Sequence, residues 1–465
     1  MEALTQKREV EMDEAPLVLR SLMDSPCGLR FIFDSLNIYS GYARRRLLER
    51  EMYFCKEEIA DAYSKLREFY KLFFEEGANR ALADGIRAKF CDLKEISGTL
   101  GRLASGAVLD DIELFEIKAL ILLSQEVGGL ASAAGLKVLE QENLDKELEI
   151  LDPDALKIRA FYIYDAYSKE LAALRVRLRS ADEERRQELE LKERELEFEV
   201  RKRLCALLRP SAERLRSNME RLADMDILFA QAEQMREMHL VFPIISDSGK
   251  SCYKGLFHPQ VKSIKGDEFV PVDIEFDHKP VIITGANMGG KTVTLMMCAL
   301  AQYLFQFGFG IPAESACIAP VERVFVTMGD GQSMEGGFSS FAAEMLSVNS
   351  VIKAAQRGCR LLALIDEPAR TTNPVEGRAL VEGMLELLSG YSISLVISTH
   401  YNVSSGDYKW LRVAGFKNGK MDYRLIEATK GDVPHEAVRI AEELGVDAGW
   451  IAAAERHLEL ELELE

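Results

Sequence analysis

The chain has 465 residues, 48% of them hydrophobic and 29% charged, a globular composition that excludes wholesale disorder. Its formal net charge is −18, so it repels phosphate backbones wherever its basic residues are not clustered. No apolar run approaches the ~18 residues of a membrane span, and the polar start MEALTQKREVEMDEAP does not read as a secretory signal.

The first ~240 residues read as helix. Proline is rare there (Pro16, Pro26, Pro153, Pro210), and glycine is absent between Gly135 and Gly249. Leu156, Ile158, Phe161, Ile163, Tyr167, Leu171 and Leu174 give helical apolar spacing over 155–181. The stretch from Asp182 to Leu208 is crowded with Glu and Arg or Lys three or four apart, the pattern of an exposed helix. With a polar break near Ser180–Glu183, these two helices predict a projecting antiparallel arm.

After about Leu240 the character changes, with glycine, proline and β-branched residues returning. Val272–Phe276, Pro280–Thr284, Val324–Met328, Leu361–Ile365 and Ser392–Ser398 read as strands, and Thr292–Phe307 as a helix. The alternation predicts an α/β domain with a mostly parallel sheet. The closing residues from Leu458 to Glu465 alternate Leu and Glu. They read as an edge strand, a partner-binding strand or a frayed end.

Three words in the second half carry chemistry. Gly285-Ala286-Asn287-Met288-Gly289-Gly290-Lys291-Thr292 is a G-x-x-x-x-G-K-T phosphate loop between a strand and the helix from Thr292, and Val293 joins these residues in the expected nucleotide-binding set. Its glycines let the backbone N–H groups and the helix N-terminus wrap phosphates. Lys291 is expected to reach the β- and γ-phosphates of ATP, and Thr292 to ligate Mg²⁺. The apolar run Leu361–Ile365 ends in Asp366-Glu367, a Walker B form. Asp366 is expected to organise the Mg²⁺ shell, and Glu367 to act as the general base for water. His400, in Ser398-Thr399-His400 after the next strand, is expected to sense or polarise the γ-phosphate. The catalytic set read from the residues is thus Lys291, Glu367 and His400.

These words, with Gly337-Phe-Ser-Ser-Phe-Ala-Ala-Glu-Met345 and Ser398-Thr-His-Tyr401, resemble the ABC-type ATPase domain of the MutS family, over about Gly255 to His457. Leu222-Ala-Asp-Met-Asp-Ile-Leu228 is similar to the end of that family's lever region. The resemblance implies a helical core and lever arm over 1–245 (arm about 155–236), an ATPase domain over 246–430, a C-terminal helical dimerisation element over 431–457 and a Leu-Glu tail over 458–465. It implies that Asn287 contacts the γ-phosphate and that Ser339 reaches the nucleotide of the opposite subunit. Glu344 belongs to the same segment as Ser339, and Phe257 and His258 lie near the adenine. The implied partner is an identical chain or a MutS-like paralogue.

Departures accompany the resemblance. Ala286 stands where proline is usual, and Thr372-Asn-Pro-Val-Glu-Gly377 replaces the glycine-rich version of the mismatch-repair enzymes. That stretch looks more like the second MutS subfamily and other divergent members. The ~245 preceding residues read as helix, so no mixed α/β mismatch reader is expected. Phe73-Phe74-Glu75 fits that reader's letters but sits in a helical pattern. The second subfamily's nuclease domain is not expected either.

The implied function is a Mg²⁺-dependent ATP hydrolase that couples ATP at a dimer interface to clamping or remodelling a partner, by family base rate DNA. The alternative is a protein-remodelling factor similar to the ATPases that reactivate cobalamin-dependent aminomutases. The acidic charge favours the alternative. Arg175, Arg177, Arg179, Arg185 and Arg186 near the arm tip are interleaved with Asp182, Glu183 and Glu184. They read as a salt-bridged hairpin or as a weak phosphate contact. The eight cysteines include no CxxC pair, and the six histidines are scattered. They predict mostly core thiols, a reducing cytoplasm and no structural zinc.

Overall fold

A computed structural model describes residues 17–75, 78, 80–285, 290–328, 340–403, 406–417, 420–429, 438, 441–442 and 445–462. The chain forms two compact units. One comprises Leu36–Arg50 and Ser64–Glu233. The other takes in the described parts of Met1–Ser35, Glu51–Tyr63 and Gln234–Glu465.

The helices before residue 240 are α1 (Leu29–Asp34), α2 (Gly41–Leu48), α3 (Lys56–Phe73), α4 (Arg80–Lys89), α5 (Ser97–Ser105), α6 (Asp111–Ala133), α7 (Asp145–Leu151), α8 (Lys169–Arg179), α9 (Glu183–Leu208) and α10 (Ala212–Glu237). In the helical unit, α6 opens with a capping box: Asp110 accepts from Glu113 N, and Glu113 accepts from Asp110 N. This satisfies two backbone donors that a helix start leaves without partners. Leu114, Ile117, Ile121 and Val127 of α6 are buried. Phe69, Phe73 and Phe90 surround Phe229, with ring centroids 5.0, 4.7 and 6.1 Å away. Phe73 and Phe74 are core residues on or just after α3, not part of a mismatch reader. Asp226, in the lever-like word, is buried and accepts from the backbone N–H of Tyr39 and Ser40 at 3.1 and 2.7 Å.

The expected helix over 155–181 forms only as α8, from Lys169. The cause is a buried lysine. Lys118 of α6 is fully buried and donates to Asp152 (2.9 Å), the Ala160 carbonyl (3.0 Å) and the Tyr164 hydroxyl (3.1 Å). Asp152 also accepts from Lys157 N at 2.7 Å. Satisfying this cation takes a carbonyl and a hydroxyl from the segment, and Ala155 and Lys157 turn to φ +53° and +52°, which a helix does not allow. The two helices expected to pair, α8 and α9, are joined by ion pairs. Asp182 caps α9 by accepting from Arg185 N, and Arg175 of α8 binds Glu193 and Glu197 of α9, each at 2.8 Å, and Asp165 at 2.7 Å.

In the second unit the strands are β1 (Ile244–Ile245), β2 (Ser251–Leu256), β3 (Val272–Phe276), β4 (Val281–Thr284), β5 (Ser315–Ile318), β6 (Arg323–Thr327), β7 (Leu361–Asp366), β8 (Ser394–Ser398), β9 (Lys409–Lys417) and β10 (Lys420–Glu427). Between and after them run α11 (Pro259–Lys265), α12 (Lys291–Gln306), α13 (Ser340–Gln356), α14 (Pro374–Leu388) and α15 (Ala448–Leu462). Six strands form one sheet in the order β10-β9-β4-β8-β7-β6. All neighbours in it are parallel except the edge pair β10–β9. A second, mixed sheet has the order β1-β5-β2-β3. β4, β7 and β8 are buried at every position, as central strands covered on both faces are.

Two further expectations change. Leu458–Leu462 continue α15, because Leu and Glu are both strong helix formers. Only Cys27, Cys205 and Cys298 are buried thiols; Cys55 and Cys91 are exposed and the other three partly so. Among the described residues no group of three or more His, Cys, Asp or Glu is placed to hold a metal, and no helix is long and apolar enough to cross a membrane.

Candidate functional site

The sheet order places three of the marked words side by side. β8 pairs with β4 on one edge and β7 on the other. Gly285, Glu367 and Thr399 therefore all follow the C-terminal ends of adjacent parallel strands, where open α/β sheets bind ligands. Ser398 is the register partner of both Ile283 and Asp366.

Gly285 leaves β4 at φ +138°, and a methyl group built on it would crowd Val413 Cβ at 3.2 Å. Gly290 is the N-cap of α12 at φ +83°, a left-handed conformation that favours glycine. A methyl group there would sit 3.1 Å from the ring of Tyr423. Ala286, Asn287, Met288 and Gly289 lie outside the described residues, as does Ser339. Val293 is partly buried in the first turn of α12.

Lys291 is 4% exposed. Its Nζ donates to the Gly285 carbonyl at 2.7 Å and lies 3.2 Å from Glu367 Oε1. Thr292 Oγ1 donates to Asp366 Oδ2 at 2.6 Å. Ser398 Oγ donates to the other Asp366 oxygen and accepts from Glu367 N at 3.0 Å. One hydroxyl thus ties both acidic residues to the end of β8. Hydroxyl and carboxylate oxygens side by side are the hard donor set that suits Mg²⁺, which takes few protein ligands.

Glu367 sits at φ +45° and Ala369 at φ +61°. Neither is glycine, so this turn stores backbone strain, held by contacts on three sides. Glu367 N is bonded to Ser398, Ala369 N donates to Glu344 Oε1 at 2.6 Å, and the Ala369 carbonyl accepts from Tyr401 Oη at 2.8 Å. A methyl group on Gly377 would lie 2.3 Å from Tyr401 Oη, so glycine at 377 opens the path for that hydroxyl. Burial opposes the charge on Glu367, but Lys291 and then Arg370 outweigh it and hold the carboxyl below its usual range. Glu344 goes the other way, raised by burial.

The His400 ring lies tilted against that of Tyr401, with centroids 4.3 Å apart and planes at 37°. Burial, opposed by the charge of Glu367, lowers its pKa, which keeps the ring neutral near pH 7. His258 is buried, with its ring against Gly28, and burial lowers its pKa too. Lys262 Nζ covers the Phe257 ring at 4.2 Å.

The family model for MutS domain V matches residues 281–417, the span that carries β4, the Lys291–Glu367 pair and β8. The chain carries a segment similar to MutS domain V, and its curated relatives bear MutS-family names. It is similar to Endonuclease MutS2 of Caldicellulosiruptor saccharolyticus, 31% identical over 284 residues, which are 58% of this chain and 35% of that protein. It is 36% identical to Endonuclease MutS2 of Lachnospira eligens over 219 residues, 46% of this chain and 27% of the relative. A third, from Halalkalibacterium halodurans, is 31% identical over 254 residues, 52% and 31% of the two chains. The chain thus spans about a third of the length of the curated relatives it matches.

Reading the sequence alone did not find Arg370, Tyr401, Gly377 or Tyr423 as parts of this site. Tyr401 and Gly377 close two of the quoted words, but their roles depend on contacts between segments far apart in sequence, as does that of Tyr423, whereas Arg370 pairs with Glu367 three positions away.

Proposed function

We propose that this chain is an ATP hydrolase of the ABC type, acting on DNA with ATP held at a dimer interface. The observation that carries the reading is the meeting of Lys291, Thr292, Asp366, Glu367 and Ser398 at three adjacent strand ends. Backbone N–H groups from Gly285 to Thr292 and the start of α12 cradle phosphate. Lys291 leaves Glu367 for the β- and γ-phosphates, and the freed carboxylate accepts a proton from the attacking water. Its lowered pKa keeps it ionised for that task. Thr292 and Asp366 hold Mg²⁺, which supplies charge neutralisation at the phosphates. His400, neutral and beside Glu367, orients toward the γ-phosphate. Ser339 completes the site of the partner subunit, and Phe257 and His258 border the adenine side. The cytoplasm is the proposed location.

The DNA reading rests on the family and on relatives whose printed name is an endonuclease. The aminomutase-reactivation alternative finds no support among these relatives.

The deciding experiment is the steady-state ATPase rate with and without heteroduplex and branched DNA across a salt series. DNA-dependent turnover that fades steeply with salt is expected. An ATPase indifferent to every DNA at low salt would overturn the DNA assignment. Lys291→Ala tests the nucleotide site itself: equilibrium dialysis should show ATP binding abolished, and unchanged affinity would refute the cradle.

A further inference from the structure

Cys252 and Cys317 stand 65 positions apart in the sequence. In the four-stranded sheet they become direct neighbours, as register partners of the antiparallel pair β2–β5. Residues directly opposed in such a ladder have Cα atoms about 4.5–5.5 Å apart and side chains on the same face. A disulfide spans Cα separations of about 4.4–6.8 Å, so the register places this pair within disulfide reach. The face they share is the outer one. The next pair along, Tyr253 and Ala316, points inward and is buried, while Lys254 and Ser315, on the thiols' side, are exposed. Both thiols are free and partly exposed. Among the described strands no other two cysteines are register partners.

We propose that Cys252 and Cys317 form a redox modification site, a dithiol that a low-molecular-weight disulfide of the glutathione class converts reversibly to a cross-strand disulfide. The thiolate of one cysteine attacks a sulfur of the reagent, whose S–S bond breaks and releases one reagent thiol. The second cysteine then attacks the mixed disulfide. This forms the Cys252–Cys317 bond and expels the second reagent thiol. The protein loses two electrons and two protons, and the reagent, reduced to two thiols, takes up both. The stretch of chain so closed, 252–317, contains most of β2, then β3, β4, residues 285–290 and α12, so the bond brackets the whole phosphate-loop sequence. The chemistry stands whether or not the chain hydrolyses ATP.

The test is titration of the full chain with oxidised and reduced glutathione, read by intact mass and by peptide mapping under non-reducing conditions. The expected product is a peptide joining Cys252 to Cys317, reversed by dithiothreitol. It should exceed the mixed disulfide by about tenfold or more, because the second step is intramolecular. Cys252→Ser should trap glutathione on Cys317, since the resolving thiol is gone. Should that variant fail to fold, Cys317→Ala makes the same comparison at Cys252. A wild-type map dominated by unresolved mixed disulfides, by a different cysteine pair or by unreacted thiols at both positions would overturn the proposal.

Discussion

Among the described residues two lysines are buried against carboxylates, and the two sites differ in how completely they are satisfied. In the helical unit, Lys118 has three acceptors, Asp152 beside it is 1% exposed, and the pair is closed off from water. At the sheet end, Lys291 shares Glu367 with Arg370, and Glu367 sits on a strained backbone with its side chain 10% exposed. The first pair is a fastening: each charge has its partners, and removing one leaves the other buried alone. In the second, two cations share Glu367 on a strained backbone, a setting that suits the proton-accepting role proposed for it. On that proposal the same two chemical groups serve stability in one place and chemistry in the other.

The largest effect that separates them is on turnover. Glu367→Gln should lower kcat by about 10²–10⁴-fold, because the base is lost while the phosphate cradle stays. ATP binding by dialysis and the urea midpoint should stay close to wild type. Near-normal turnover would remove Glu367 from the mechanism and break the comparison.

Lys118→Met should do the reverse. Leaving Asp152 buried without its cation costs about 3–5 kcal/mol, read from urea unfolding of the helical unit by circular dichroism. ATPase turnover, measured well below the unfolding transition, should stay near wild type.

Gly377→Ala sharpens the contrast at intermediate size. Its methyl group meets Tyr401 Oη, and overpacking of this kind costs about 1–3 kcal/mol. Losing the Tyr401 bond to Ala369 should also relax the Glu367 turn, so kcat falls while KM for ATP holds. Tyr401→Phe should reproduce the kcat loss without the overpacking cost. A variant pair with unchanged kcat would show that the turn does not depend on Tyr401.

The smallest effect is the acid limb of stability. Burial opposes the charge on Asp152, but the hydrogen bond and charge of Lys118 prevail and hold its pKa below the usual carboxylate range. A depressed folded pKa contributes stability that is full above the unfolded value and is lost as pH falls through the folded one. Urea midpoints should therefore drop on acidification below about pH 4. Lys118→Met should lose that limb, since its Asp152 no longer gains from ionising.

Much of the site was legible because its words are contiguous. Gly285, Gly290, Lys291 and Thr292 belong to one contiguous word, and the positive φ values at Gly285 and Gly290 explain why glycine stands there. Asp366-Glu367 was readable from the apolar run before it. The helix over 155–168 was misread because apolar spacing does not reveal a buried cation. Lys118 is 42 positions from Ala160 and 46 from Tyr164, and its hydrogen bonds outweigh local helix preference there. The Glu344 bond to Ala369 N joins groups 25 positions apart, and the Tyr401 bond to the Ala369 carbonyl joins groups 32 apart.

The residues alone thus settled the order of strand, phosphate loop and helix, the acidic pair at a strand end and the helical character of the first half. These depend on backbone freedom and on apolar periodicity, which are local properties. The tertiary structure decided which strand ends adjoin, that Glu367 faces Lys291 with its backbone strained, and that Cys252 lies opposite Cys317. Those outcomes follow from sheet order and from the need to pair every buried charge. Both are settled only when distant segments come together.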